Sequence, residues 1–367
     1  MRWSRRKRWT AGVLLAVLLL GAIGYWQRTA LALWGFDLFF AKSVERKLEK
    51  SYRPIDGRTE EPTEGQKQKE LKEEAKRPYT LLLLGVDQRG KERGRSDTVI
   101  LAAVRPADGA ALLISVPRDS YVELPGRGMD KMAHAYAYGE AKLAVETVEE
   151  LFGVPVEHYA AVNFQGFRDA VDAIGGIELP VERDLVNRDP GHEKFVVKAG
   201  KPVYSGEEAL NFVRFREDAG GDISRTQRQK QFLEALLAKA TRMGQWTKIP
   251  ELIDIMGDNF RTDITPAELI EQAKWVLSAD TRLIYSHTLA GKGRMINSLW
   301  YYVLDEEDVA WATEWLKAWL DPANSLDELP KPGLDETGAG DGQGGKNADN
   351  DSKDGTGAGG GKTPKAV

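Results

Sequence analysis

The chain has 367 residues, with 51 Lys and Arg against 56 Asp and Glu, for a formal net charge of −5. That balance excludes a general nucleic-acid binder, which needs a basic surface for phosphates. Cysteine is absent, which excludes disulfide scaffolds, thiol catalysis and iron–sulfur clusters, and none of the four histidines sits at zinc-ligand spacing.

In chain order, Arg2, Arg5, Arg6, Lys7 and Arg8 precede an uncharged run from Trp9 to Trp26 that ends at Arg28. As a helix that run is about 27 Å long at roughly 1.5 Å per residue, close to the ~30 Å hydrocarbon core of a bilayer. The reading is a basic cytoplasmic tail over residues 1–8 and one transmembrane helix over 9–28, a signal-anchor that leaves the rest outside the cell by the positive-inside rule. A cleaved signal ending near Ala30-Leu31-Ala32 is the alternative. Residues 29–77 read as a juxtamembrane segment and charged stalk, and 322–367 as a disordered tail rich in Gly, Asp and Lys.

The folded part is expected over 78–321. Short apolar runs at 79–86, 98–104 and 110–116 have the pattern of buried strands, and 159–163 and 282–287 add two more. Helical spacing predicts helices over 139–152, 166–174, 207–212, 226–243, 266–277 and 305–320. Strands interspersed with amphipathic helices imply a layered α/β domain around one mixed sheet.

Four constellations carry candidate chemistry. Leu81 to Lys91 places Asp87 and Arg89 where a strand ends, at the carboxyl edge at which open α/β sheets bind ligands. Gly85 to Lys91 also matches the start of a P-loop, but Glu92 stands where that motif needs Ser or Thr for magnesium. Arg95-Ser96-Asp97-Thr98 opens the next strand. Asp97 caps a turn, or meets Asp87 at one sheet edge as a pair of hard oxygen ligands that suits Mg²⁺. Pro117-Arg118-Asp119 delivers Arg118 to the same edge, or forms a surface ion pair. The densest set is Arg214, Arg216, Asp222, Arg225, Arg228 and Gln229. Arg214 and Arg216 flank Phe215 and point the same way if that stretch is extended, while Arg225, Arg228 and Gln229 share one helix face. Cations at a helix start oppose its dipole unless an anion lies between them. Several guanidinium groups together suit a pyrophosphate, or the stretch is a solvated charged face with Glu217 and Asp218 as partners. His134, in Lys131-Met132-Ala133-His134, is a candidate wall residue or a packed surface histidine.

The strings L-L-L-G-V-D-x-R, R-S-D-T, S-V-P-R-D, D-K-x-x-H-A-Y-A, D-A-I-G-G-I and R-F-R…D-x-x-R-x-x-R-Q run in order from Leu81 to Gln229. Together they resemble the LytR-CpsA-Psr domain. The resemblance implies an α/β/α fold with a hydrophobic tunnel for a polyprenyl pyrophosphate. It also implies transfer of a phospho-glycopolymer, such as wall teichoic acid or capsule, to a peptidoglycan hydroxyl with Mg²⁺, Mn²⁺ being a substitute. On this resemblance Asp87 and Asp97 would hold the metal. Arg118, Arg214, Arg216, Arg225 and Gln229 would grip the pyrophosphate, with Arg89, Arg95, Lys131 and Arg228 as further candidates. Asp87, Arg118 and Asp222 are the candidate catalytic residues. The family pattern usually has Asn where Ala133 stands and Gly where Glu140 stands. A non-catalytic binder of anionic lipid-linked precursors and a pyrophosphatase are the alternative functions; a transcription regulator conflicts with an exported body.

Overall fold

The computed structural model describes residues 41–55, 75–87, 94–188, 194–215, 221–240, 254, 257–278 and 283–332. No helix among these residues is long and apolar enough to cross a membrane. The expected anchor at 9–28 lies outside the described residues, as does most of the expected tail.

Hydrophobic strand-formers build a central sheet from β1 (Tyr79–Asp87), β2 (Arg95–Arg105), β3 (Ala110–Ser115), β6 (His158–Asn163), β9 (Phe260–Thr262) and β10 (Leu283–Thr288), in the order β10-β3-β2-β1-β6-β9. β1 pairs parallel with β6 and β3 with β10, whereas β2 runs antiparallel to both its neighbours. The carboxyl ends of β1, β3, β6 and β10 therefore share one edge with the start of β2. Two hairpins, β4 (Tyr121–Leu124) with β5 (Gly128–Lys131) and β11 (Gly291–Ile296) with β12 (Leu299–Leu304), follow strands that end there. A short ladder joins β7 (Leu185–Asn187) to β8 (Phe195–Val197).

Period-two alternation divides the side chains between two faces. Leu82, Leu84, Leu101, Leu112 and Ile114 are buried against α2 (Met132–Phe152) and α7 (Glu306–Leu320). Leu83, Ile100 and Leu113 face the opposite layer, where α3 (Phe164–Ala173), α4 (Gly206–Arg214) and α5 (Gly221–Ala240) pack with their own apolar cluster around Ile177, Phe212 and Phe232. This is the expected mixed sheet between two helical layers.

Local chemistry fixes the helix starts. Asn163 caps α3 by accepting from the Gly166 amide, and Ser205 with Glu208 forms a capping box on α4. α2 begins seven residues before the predicted start because it is interrupted at Gly139 and Glu140, and only its second half has a continuous helical pattern. α5 begins at Gly221, five residues before the expected start at 226, because its first turn is polar and has no apolar period to read.

Two boundaries move outward. α1 (Ala41–Leu48) and the strand-like residues after it belong to the folded body rather than to a stalk: Val44, Leu48 and Ile55 are buried, and the Arg53 amide donates to Thr262 O at 2.7 Å. Few apolar residues suffice there because their partners come from β9 and α6 (Pro266–Ser278). At the other end, Leu329 is buried in the main core and the Trp319 indole donates to Pro330 O at 2.9 Å. Buried Arg105 donates to the carbonyls of Trp319, Asp321 and Asn324, so it caps the end of α7 and holds residues 322–324 in place.

Candidate active site

The shared sheet edge gathers the first group of expected residues. Gly85 lies so near Thr98 that a Cβ would come within 3.0 Å of the threonine Cβ, and the β1–β2 register slips by one residue just beyond it. Such a bulge re-aims side chains. Asp97 is the extra residue, and it accepts from Arg118 Nη1 at 2.9 Å. Arg118 also donates from Nε to Asp119 at 3.3 Å, and Lys131 Nζ donates to the other oxygen of Asp119 at 2.8 Å. Asp87 ends β1 directly opposite Arg95 in the register. The Arg118–Asp119 ion pair therefore exists, but as part of a four-membered chain rather than as an isolated surface contact.

Burial opposes the charge on Arg118, and the carboxylates of Asp97 and Asp119 outweigh it, so the guanidinium is held more firmly protonated than usual. Burial likewise opposes the charge on Asp119, and Lys131 and Arg118 hold its carboxyl below the usual range. The four charges of this chain cancel overall, so a diphosphate beside Arg118 needs further cations as well.

Two such cations, Arg214 and Lys239, line an apolar cavity of ≈ 400 Å³. The cavity runs between the sheet face of Leu83, Gly85 and Ile100 and the helical layer of Phe167, Ala170 and Phe232. Arg214 and Gln229 line its wall beside Thr98, and Lys239 lines it from the last turn of α5. Arg214 stacks with its guanidinium carbon 4.5 Å from the centroid of the Phe164 ring. Gln229 Nε2 reaches Thr98 Oγ1 at 3.4 Å, while Gln229 Oε1 is buried with no hydrogen-bond partner among the described residues. Arg225 is buried one turn earlier on α5.

Three expectations change. Arg214 is the last residue of α4 rather than part of an extended stretch, and Phe215 beyond it is extended. Arg228 donates to Phe215 O at 2.5 Å and stacks on the Phe215 ring, bracing the end of α4. Lys131 is committed to Asp119 and lies 5.9 and 5.6 Å from the ring centroids of Trp300 and Tyr301. Asp222 falls on the first turn of α5, and Arg89 and Arg216 lie outside the described residues. Asp119 was missed as a link because its immediate neighbour Arg118 explained it locally. The β11–β12 hairpin, from a stretch without a readable motif, bonds to it through Tyr302 N to Asp119 O at 2.9 Å.

A model of the LytR_cpsA_psr family matches residues 39–318. The chain belongs to that family. Among its relatives is the polyisoprenyl-teichoic acid–peptidoglycan teichoic acid transferase TagU of Oceanobacillus iheyensis, 32% identical over 82% of this chain and 90% of that protein. The protein of the same name from Bacillus subtilis is 31% identical over 88% of this chain and 100% of its own length. Among solved structures, TagT bound to LIIa-WTA superposes with a TM-score of 0.57 at 30% identity, covering 67% of this chain and 92% of that one. Bacillus subtilis TagU superposes with a TM-score of 0.53 at 31% identity, over 68% and 100%.

Of the two departures from the expected pattern, Ala133 lies beside Arg118, whereas Glu140 pairs with Arg261 at 3.7 Å. Ala133 is buried, and its amide donates to Arg118 O at 2.8 Å, a backbone role that any residue there can fill. Glu140 adopts φ 53° and ψ −145°, a conformation natural only to glycine. The glycine expected at that position has a physical reason, and this chain carries strain in its place.

Proposed function

We propose that this chain transfers a phospho-glycopolymer from a polyprenyl-pyrophosphate carrier to a hydroxyl of peptidoglycan, forming a phosphodiester. It is a transferase of the LytR-CpsA-Psr type. One observation carries the reading. A cavity of ≈ 400 Å³, almost entirely apolar, opens beside Arg214 and Gln229. A volume in the ~300–1,000 Å³ range suits a small-molecule site, and an apolar tail joined to an anionic head matches that wall.

In this reading Arg214, Arg225 and Gln229 hold the diphosphate, with Arg216 and Arg89 as further donors. Arg118 faces the reacting phosphorus and stabilises charge on the leaving polyprenyl phosphate. Phosphoryl transfer needs positioning and charge neutralisation more than covalent help. Asp87 and Asp97 are hard oxygen donors on neighbouring strands, and beside a diphosphate two carboxylates need a cation between them. No group of three or more Asp, Glu or His side chains placed to hold a metal ion is found among the described residues, so Mg²⁺, or Mn²⁺, on Asp87 and Asp97 would need substrate oxygens and water to complete its shell. When bound, the ion would screen phosphate charge. The 9–28 segment would anchor the chain with its catalytic body outside the membrane, next to a lipid-borne donor.

The test uses the full chain in detergent micelles, a synthetic polyprenyl-pyrophosphate-linked oligosaccharide and uncrosslinked glycan strands, with released polyprenyl phosphate as readout. Arg118→Ala and Arg214→Ala are expected to lower transfer by at least about 10²-fold while both variants stay folded. Full activity in both removes the anion-site assignment. Binding of the donor without release by wild type points instead to a non-catalytic carrier.

A further inference from the structure

Transfer to a hydroxyl also needs a group that removes the proton of the attacking oxygen. The carboxylates near Arg118 are poorly suited: Asp97 and Asp119 are tied to cations, and Asp119 is held below the usual carboxyl range. Asp87 and Asp97 are also the groups suited to a metal.

At the same sheet edge lies a histidine–carboxylate pair that the donor site does not use. His134 Nδ1 sits 2.9 Å from Asp130 Oδ2. Asp130 is fixed in turn, since its Oδ1 accepts from the Lys131 amide at 2.7 Å and its Oδ2 from the Tyr138 hydroxyl at 3.2 Å. Burial opposes the charge on Asp130, but these donors outweigh it and hold the carboxyl below its usual range. An ionised carboxylate can only accept, so Nδ1 carries the ring proton and Nε2 of the neutral ring presents a lone pair. The pair belongs to the site by backbone continuity: Ala133 N donates to Arg118 O at 2.8 Å, and His134 is the next residue. The other charged and titratable groups around it are Arg127, whose guanidinium carbon lies 4.8 Å from the Tyr138 ring centroid, Arg95, whose charge acts on Tyr138, and Lys131, held by Asp119. His134 is half-buried, so its ring is reachable from solvent. The remaining described histidines are placed elsewhere: His158 starts β6 at the opposite edge, and His287 is locked by Nε2 to buried Asp308.

We propose that His134 is the general base of the transfer, with Asp130 as the positioning residue that fixes its tautomer. This rests on the transfer reading above. In the step, Nε2 takes the proton of the acceptor sugar hydroxyl as the oxygen's electron pair forms the new O–P bond. The bond from that phosphorus to the bridging oxygen of polyprenyl phosphate breaks, and the leaving group departs with the bond's electrons. The imidazolium then returns its proton to solvent. The same geometry recurs wherever a carboxylate orients an imidazole for proton abstraction.

The experiment follows polyprenyl phosphate release by the full chain in detergent, with the oligosaccharide donor and glycan acceptor, from pH 5 to 9. Wild type is expected to lose kcat/KM about tenfold per pH unit on its acidic limb, as one essential base demands. His134→Asn keeps a donor toward Asp130; it is expected to lower kcat about 10²-fold or more, to leave donor KM within threefold, and to erase the acidic limb. Asp130→Asn is expected to move that limb to lower pH, which a merely structural role would not do. Should His134→Asn fail to fold, His134→Gln and Asp130→Asn carry the same comparison. An acidic limb unchanged in the histidine variants, or activity within threefold of wild type, overturns the assignment and leaves the transfer reading intact. No release by wild type at any pH defeats the transfer reading itself.

Discussion

Glu140→Gly should stabilise this protein, against the usual direction of glycine substitutions. Glu140 sits at φ 53° and ψ −145°, where Cβ crowds the backbone, and holding a non-glycine residue in such a region costs about 1–3 kcal/mol. The substitution removes one interaction, the Glu140–Arg261 pair at 3.7 Å, whose side chains are 57% and 37% exposed. An exposed pair of that kind contributes at most about 1 kcal/mol. The added backbone freedom of glycine in the unfolded chain costs a further ~0.4–1 kcal/mol. Taking the middle of each range leaves a net gain of about 1 kcal/mol. Glu140→Ala loses the ion pair but keeps Cβ, so it should be destabilised by about 0.5 kcal/mol. Urea unfolding of the two variants and wild type, compared at equal m, measures both. The comparison between glycine and alanine isolates the strain. Equal stability of the two variants, or glycine below alanine, would refute the argument that position 140 is strained.

Three further outcomes are expected. Ala170→Phe projects a ring into the apolar cavity; the KM for a long-chain prenyl donor should rise at least tenfold while a short-chain donor is unaffected, and equal effects on both would separate the cavity from the tail. Burial opposes the charge on His158, but Asp263, 3.8 Å away, raises its pKa above the ordinary histidine value, with Glu268 and Glu157 adding to it. That stabilisation is complete below about pH 6.5 and is lost as pH rises through the raised value, so wild type should lose stability over that interval relative to His158→Gln; parallel stability curves count against the pairing. Leu329→Ala should cost about 2–5 kcal/mol by thermal or urea unfolding, since Leu329 is only 4% exposed. A loss below 1 kcal/mol would return residues 322–332 to the tail.

Much of the molecule was legible in one dimension. Uninterrupted apolar runs located β1, β2 and β3 within three residues, because strands buried on both faces select Val, Leu, Ile and Ala almost without alternation, and shorter apolar stretches located β6 and β10 within one residue. Apolar spacing located α3, α4, α6 and α7, and the ordered motifs from Leu81 to Gln229 pointed to the family. Each of these signals is local: a few neighbouring residues meet the same environment, and the pattern repeats with the geometry of the element.

Tertiary structure decided what depends on distant partners. The strands β4, β5, β7, β8 and β9 have only three or four residues and β11 is largely exposed, so no hydrophobic period marks them, whereas the apolar run Leu299–Leu304 becomes strand β12 by pairing with β11. Residues 41–55 contain few apolar side chains, yet they join the core because β9 and α6 complete it. The same holds for the site. Spacing could nominate Asp97 and Arg118, but their contact spans 21 positions, and it exists because β2 and β3 pair and β2 bulges opposite Gly85. Side-chain type and local periodicity are written along the chain, whereas the meeting of charges across a sheet and the enclosure of a cavity between layers are set by strand order and packing.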